Sequence, residues 1–268
     1  VRGMKDLYEL YGDDFVCISW YLNGGYDIPE SSQRFSWYGF SGTPSAMFDG
    51  LEGSVGGYPS GSMFDIYDPM VQGRFAVPSP VEIMAAYTNI GNQGSVSVNI
   101  QSTEAIPSGN YDIEFVVIEN YAHDQINMAR VVLASEPLTI SGPGESQVVT
   151  RDFTLDAGWV TENVRVVVFV QDQTNPHDVL QATYSVADYA GVVNVDTDPN
   201  GLSAPWHLSG PEGFDMNGTG DASMFVFTAG DYTLTWLDVE YWETPTPVST
   251  IQTLVEDGEI AFTGYYTG

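Results

Sequence analysis

From about Tyr67 onward the chain is broken up so regularly that little longer than a strand fits between the breaks. The runs RFAVPSPVEIMAAY, GSVSVNIQS, GNYDIEFVVIENY, ARVVLAS, ESQVVTRDFTL and ENVRVVVFVQD have strand length and are separated by Pro, Gly, Asn and Ser clusters. With 28 Gly and 15 Pro in 268 residues, long helices are excluded and the cadence is that of antiparallel sandwiches. In SVSVNI the residues Val96, Val98 and Ile100 alternate onto one face. VRVVVFVQD is nearly continuous in apolar residues, which predicts a central strand, with LQATYSVAD returning beside it across the turn QTNPHD. The length suits two domains or three small ones.

Charge narrows the partners. Seven Lys and Arg stand against 36 Asp and Glu, a formal charge of -29, and no Lys or Arg follows Arg165. Such a surface repels phosphate backbones and anionic headgroups, so nucleic acid and membrane surfaces are poor partners. No apolar run reaches the roughly 18 residues a spanning helix needs. No charged n-region followed by an apolar h-region opens the chain, and MKDLYELYG reads as a helix already under way, which suggests a processed or truncated start. The single cysteine, Cys17, has no internal partner, and in FVCISWYL it reads as a small hydrophobe of a buried strand.

The first 58 residues have a different rhythm. Leu7, Tyr8, Leu10 and Tyr11 fall at helical spacing, and Gly12 suits a left-handed cap. FVCISWYL at 15–22 is apolar on both faces, as a central covered strand would be. A helical stretch around SSQRFSWYG precedes Thr43 and Pro44, and SAMFDG supplies another strand.

Helix, strand, helix, proline turn and strand, with Tyr38, Gly39, Gly42, Pro44, Phe48, Asp49 and Gly50 in register, resembles the second part of a thioredoxin-like domain. The similarity is to secreted bacterial proteins related to the Omp28-type outer-membrane family. The resemblance implies a cis-proline loop at Thr43 and Pro44, and a module over residues 1–66 that lacks the first strand and the Cys-x-x-Cys pair. Without a low-pKa thiolate at a helix N-terminus and a resolving cysteine, that module is catalytically empty as given. The alternative is an envelope thiol-disulfide oxidoreductase whose Cys-x-x-Cys lies upstream of residue 1.

Residues 67–190 resemble the immunoglobulin-like segment that follows in such proteins, above all in VVVFVQDQTNPHDVLQA. Residues 191–268 read as about six or seven short strands. They are similar to small transthyretin-like sandwiches, through Ala204 to Trp206, Leu208 to Pro211, Gly230 to Trp236 and Phe262 to Tyr266. The expected fold is therefore mainly β: a partial thioredoxin-like α/β module followed by two antiparallel β-sandwich domains.

Few residues suggest chemistry. In DTDPNG, Asp196, Asp198, Asn200 and Gly201 match the first half of a calcium loop, with oxygen ligands at alternate positions and Gly for the tight turn. His207 occupies the twelfth position where a bidentate Glu belongs, so a helical calcium hand is excluded. An acidic turn between two sandwiches fits the same residues, and Ca²⁺ is the one cofactor to consider. His123, His177 and His207 have no metal spacing. Trp206, Trp236, Tyr241 and Trp242 read either as core or as a stacking platform for carbohydrate. The reading is a non-catalytic, secreted or cell-surface protein with a structural, adhesive or assembly role. Its expected partners are other surface or extracellular proteins, or copies of itself in a polymer.

Overall fold

The computed structural model describes residues 2–120, 125–174, 176–187, 189–199, 201–226, 228–256 and 258–268. The chain is mainly β, and among the described residues helices are confined to the first 75 apart from short 3-10 turns.

Helix α1 (Arg2–Tyr11) buries Leu7 completely and ends where Gly12 takes φ +59. Helix α2 (Pro29–Trp37) begins on Pro29, whose missing N–H costs nothing at a first helical position. Strands β1 (Ser45–Phe48) and β2 (Glu52–Val55) form an antiparallel hairpin. Helix α3 (Phe64–Phe75) is unexpected, because Pro69 and Gly73 lie inside it and argue against helix. Burial outweighs that propensity: Tyr67 and Val71, one turn apart, pack into a cluster with Leu7, Phe15, Cys17, Ala46 and Phe48. The change of character expected at residue 67 thus falls within a helix whose apolar face belongs to the N-terminal cluster.

The expected central strand at 15–22 is corrected. This segment is extended but makes a single bridge, Ser19 to Met128, along the edge of a sheet. Its apolarity on both faces has another cause. Phe15 and Cys17 point into the helical cluster, whereas Val16, Ile18 and Trp20 pack against the first sandwich. A chain wedged between two layers needs both faces apolar whether or not it joins a ladder.

The first sandwich has two sheets. One runs β10 (Val179–Tyr184), β9 (Val164–Asp172), β5 (Tyr111–Glu119) and β6 (Met128–Val132), with β7 (Glu136–Pro137) also on β5. The other runs β11 (Val186–Ala187), β3 (Val81–Ile90), β4 (Gln93–Ser102) and β8 (Ser146–Thr154). Val96, Val98 and Ile100 meet Phe115, Val117, Val166 and Val168 between them. The alternate residues of β5 and β9, Val116, Ile118, Val167 and Phe169, are buried on the opposite face under Tyr8, Ile18, Trp20 and Ile28. Two-sided burial explains the unbroken apolar run of β9, where each covered Val contributes about 1.5–3 kcal/mol.

The second sandwich pairs a sheet β15 (Ala222–Val226), β12 (Gly191–Asp198), β18 (Gly258–Tyr265) with a sheet β14 (Asp215–Thr219), β13 (Pro205–Ser209), β16 (Gly230–Trp236), β17 (Ser249–Leu254). Strand β12 is antiparallel to β15 but parallel to β18, in register from Gly191 with Gly258 to Asp198 with Tyr265. Trp206, Leu208, Leu234 and Trp236 face Val193, Val195, Met224 and Phe262 across the core. Met84 on the outer face of β3 packs against the same cluster.

Candidate functional site at the junction of the helices and the first sandwich

The turn after β1 is bent by two positive φ angles, Asp49 at +45 and Gly50 at +73. This bend lays the backbone against the loop between β9 and β10. A Cβ on Gly50 would stand 1.9 Å from the His177 carbonyl oxygen, so only glycine fits. The Val179 N–H donates to the Asp49 carbonyl at 3.1 Å. Arg74, in the last turn of α3, clamps both sides by donating to Asp49 and to Asp178, each at 2.9 Å. Loss of solvation holds the Asp178 carboxyl above its ordinary value against the pull of Arg74.

From α2, Arg34 reaches into the sandwich. Its guanidinium donates to Gln171 Oε1 and to Glu114 Oε2, both at 2.7 Å. Both partners of the ion pair are shielded, with side chains 13% and 9% exposed. Gln171 Nε2 in turn donates to the Tyr38 hydroxyl at 2.9 Å and the His177 carbonyl at 2.8 Å. Gln173 donates to the second Glu114 oxygen at 3.1 Å. The Trp37 ring lies on the His177 imidazole with centroids 3.6 Å apart, and Arg34 sits 4.9 Å from the Trp37 centroid. Nearby, burial opposes ionisation of Asp172, but the Thr174 hydroxyl and N–H hold its carboxyl below the ordinary value. Nearly every donor and acceptor here is engaged in joining α2, the β1 turn and the β9–β10 loop. His177 Nδ1 is the exception, buried without a partner among the described residues.

Cys17 belongs to a second buried knot. The Tyr184 hydroxyl accepts the Cys17 N–H at 2.8 Å and the Asn127 side-chain amide at 2.6 Å, and Asn127 also donates to Cys17 Sγ at 3.2 Å. Burial pushes the thiol up, with Asn127 and Tyr184 offsetting part of it, so the sulfur is a protonated, enclosed group.

The Thr43–Pro44 peptide is cis, and the Pro44 carbonyl accepts the Gly56 N–H at 2.7 Å. Pro44 lines a groove of about 410 Å³ with Arg2 and Gly3 at the start of α1, Tyr58, Met63 and Tyr67. Cys17 is not among its walls.

Asp196 and Asp198 stand on the outer side of β12, in ladder with Thr263 and Tyr265, and the Asp198–Pro199 peptide is cis. Thr197 between them is buried and donates through N–H and hydroxyl to Asp221, both at 2.8 Å. Asn200 lies outside the described residues. Among the described residues, no three His, Cys, Asp or Glu side chains gather closely enough to hold a metal. The two aspartates follow an extended strand.

The three histidines sit apart: His177 at the junction, His207 against Asp215 at 3.0 Å, and His123 outside the described residues. Trp206 and Trp236 are core, with Gly218 and Gly264 leaving room for their rings. Tyr241 is exposed and Trp242 half-buried on the loop after β16. Sequence reasoning missed Arg34, Glu114 and Gln171. The available signal was scarcity: in a chain with seven Lys and Arg against 36 Asp and Glu, five of the arginines, Arg34 among them, meet a carboxylate.

No protein-family profile matches the chain, and no curated protein matches it. Among solved structures it is similar to HBP35 of Porphyromonas gingivalis, at 15% identity and a TM-score of 0.55, over 95% of this chain and 90% of that one. A domain of the outer membrane lipoprotein Omp28 from Porphyromonas gingivalis matches at 15% identity and a TM-score of 0.33, over 41% of this chain and 88% of that one. The pilus backbone RrgB from Streptococcus pneumoniae matches at 11% identity and a TM-score of 0.24, over 69% and 56%. At 15% identity, what the chain shares with HBP35 is the fold, along nearly its whole length.

Proposed function

We propose that this is a secreted or cell-surface protein with a structural, adhesive or assembly role, non-catalytic as given. In this reading a partial thioredoxin-like module (1–66) is followed by an immunoglobulin-like sandwich (67–190) and a transthyretin-like one (191–268). Its partners are other surface or extracellular proteins, or copies of itself. The observation that carries the reading is what the motif residues do. Tyr38, Asp49 and Gly50, which carry the resemblance, are engaged with Gln171, Val179 and His177 in fixing the module to the sandwich. The lone thiol is enclosed and away from the Pro44 groove. Surface exposure is tested by treating intact producing cells with protease and with an antibody to the second sandwich. Cleavage and labelling without lysis are expected, and protection of the chain until lysis would overturn the location.

One observation favours a second reading, an envelope thiol-disulfide oxidoreductase with its Cys-x-x-Cys before residue 1. The first residues of α1 share a groove with the cis-Pro44 loop. Insulin-disulfide reduction by the intact gene product separates the two: turnover that persists in Cys17→Ser but is lost on removing an upstream pair would establish the oxidoreductase.

A further inference from the structure

The loop after β16 carries an aromatic residue in a costly conformation. Tyr241 has φ +70, which a bulky side chain rarely adopts, and is 89% exposed. Its neighbours hold this arrangement firmly. The Trp242 N–H donates to the Val239 carbonyl at 3.0 Å, and the Glu243 N–H to the Thr267 carbonyl at 2.7 Å. The Thr267 hydroxyl donates to Glu243 Oε2 at 3.2 Å, and that of Thr244 to Asp238 at 2.6 Å. Tyr241, Trp242, Glu243, Thr267 and Gly268 line an open depression of about 390 Å³. Fixing a ring outward on a braced loop lowers the ordering cost of binding there.

We propose that this depression binds a basic side chain, an arginine guanidinium or a lysine ammonium, presented by a partner protein. Charge selects the ligand class. Asp238, Glu240 and Glu243 are exposed on the same loop, and no Lys or Arg anywhere after Arg165 offsets them. Aromatic faces attract cations, that of Trp most strongly and those of Tyr and Phe alike, and the surrounding carboxylates add a field that steers a cation in and keeps anions out. A neutral sugar uses the ring faces but gains nothing from that field. The second Glu243 oxygen, with no partner among the described residues, supplies the acceptor that a guanidinium fork needs. The inference does not depend on where the protein resides, since it rests on this loop alone.

The test is a chemical-shift titration of the ¹⁵N-labelled chain with acetyl-arginine amide, its neutral isostere acetyl-citrulline amide, and cellotetraose. Arginine is expected to saturate, with shifts centred on 238–243 and 266–268, and to weaken as salt is raised. Citrulline should bind about fivefold or more weakly. Tyr241→Gly, which suits the positive φ and so keeps the turn, and Glu243→Gln should each weaken arginine about threefold, while Tyr241→Phe should leave it unchanged. Equal binding of citrulline, salt-independent binding of cellotetraose at this loop, no saturable shift, or an unaffected Tyr241→Gly would each overturn the proposal.

Discussion

Gly50 shows how one missing carbon fixes the relation between two parts of the chain. Its φ of +73 and the 1.9 Å approach of a would-be Cβ to His177 act together, so Gly50→Ala must move backbone as well as strain it. A loss of about 2–4 kcal/mol is expected in urea unfolding, and a loss under about 1 kcal/mol would show that the turn yields freely. Cys17 makes a pH-dependent contribution. Burial raises its folded value, so above the ordinary thiol value near 8.5 the unfolded chain loses a proton that the folded chain keeps. The contribution is fully present below that value and is lost as pH rises toward the raised one. Between about pH 8.5 and 10, unfolding free energy should fall, by up to about 1.4 kcal/mol per pH unit from this group, and Cys17→Ala should flatten that slope. Glycine at the end of an apolar strand was legible in the sequence as Phe48-Asp49-Gly50. The carbonyl of His177 that demands it was not, because a contact across more than a hundred residues leaves no local pattern.

At the level of elements, what the sequence revealed was set by how each segment is buried. Strands β4 and β9 could be read because one-sided burial leaves alternation and two-sided burial leaves a continuous run. Helix α3 could not, since Pro69 and Gly73 mask a periodicity that only packing against α1 enforces. Residues 15–22 satisfied the pattern of a covered strand while lying between layers at a sheet margin. Their hydrogen bonds matter to that margin: the Ser19 N–H donates to the Asn127 carbonyl at 2.8 Å, and the Ala129 N–H to the Ser19 carbonyl at 3.0 Å. Ser19→Pro removes the first donor and is expected to cost about 1–3 kcal/mol. Hydrogen exchange at the Ala129 amide should speed up at least about tenfold as the β6 edge is uncovered, and unchanged exchange would mean the segment merely lies alongside.

The whole molecule works against its own charge. Arg34, Arg74, Arg130, Arg151 and Arg165 are each engaged by carboxylates in the first two-thirds of the chain, and the second sandwich has no Lys or Arg. Self-repulsion at a formal charge of -29 is relieved by screening. Raising NaCl from about 0.01 to 1 M shortens the Debye length from about 30 to 3 Å and should raise Tm by about 2–8 °C in calorimetry. A falling Tm would show that the internal ion pairs outweigh the repulsion. The β12–β18 pairing sets how that sandwich bears a load. Both strands run the same way, the chain enters at the near end of one and leaves at the far end of the other, and their ladder spans eight paired residues. Tension along the polypeptide therefore slides the two strands past one another and loads all those hydrogen bonds at once. A hairpin pulled from its open end would unzip them singly, whereas here the first and last strands form a clasp that resists in shear.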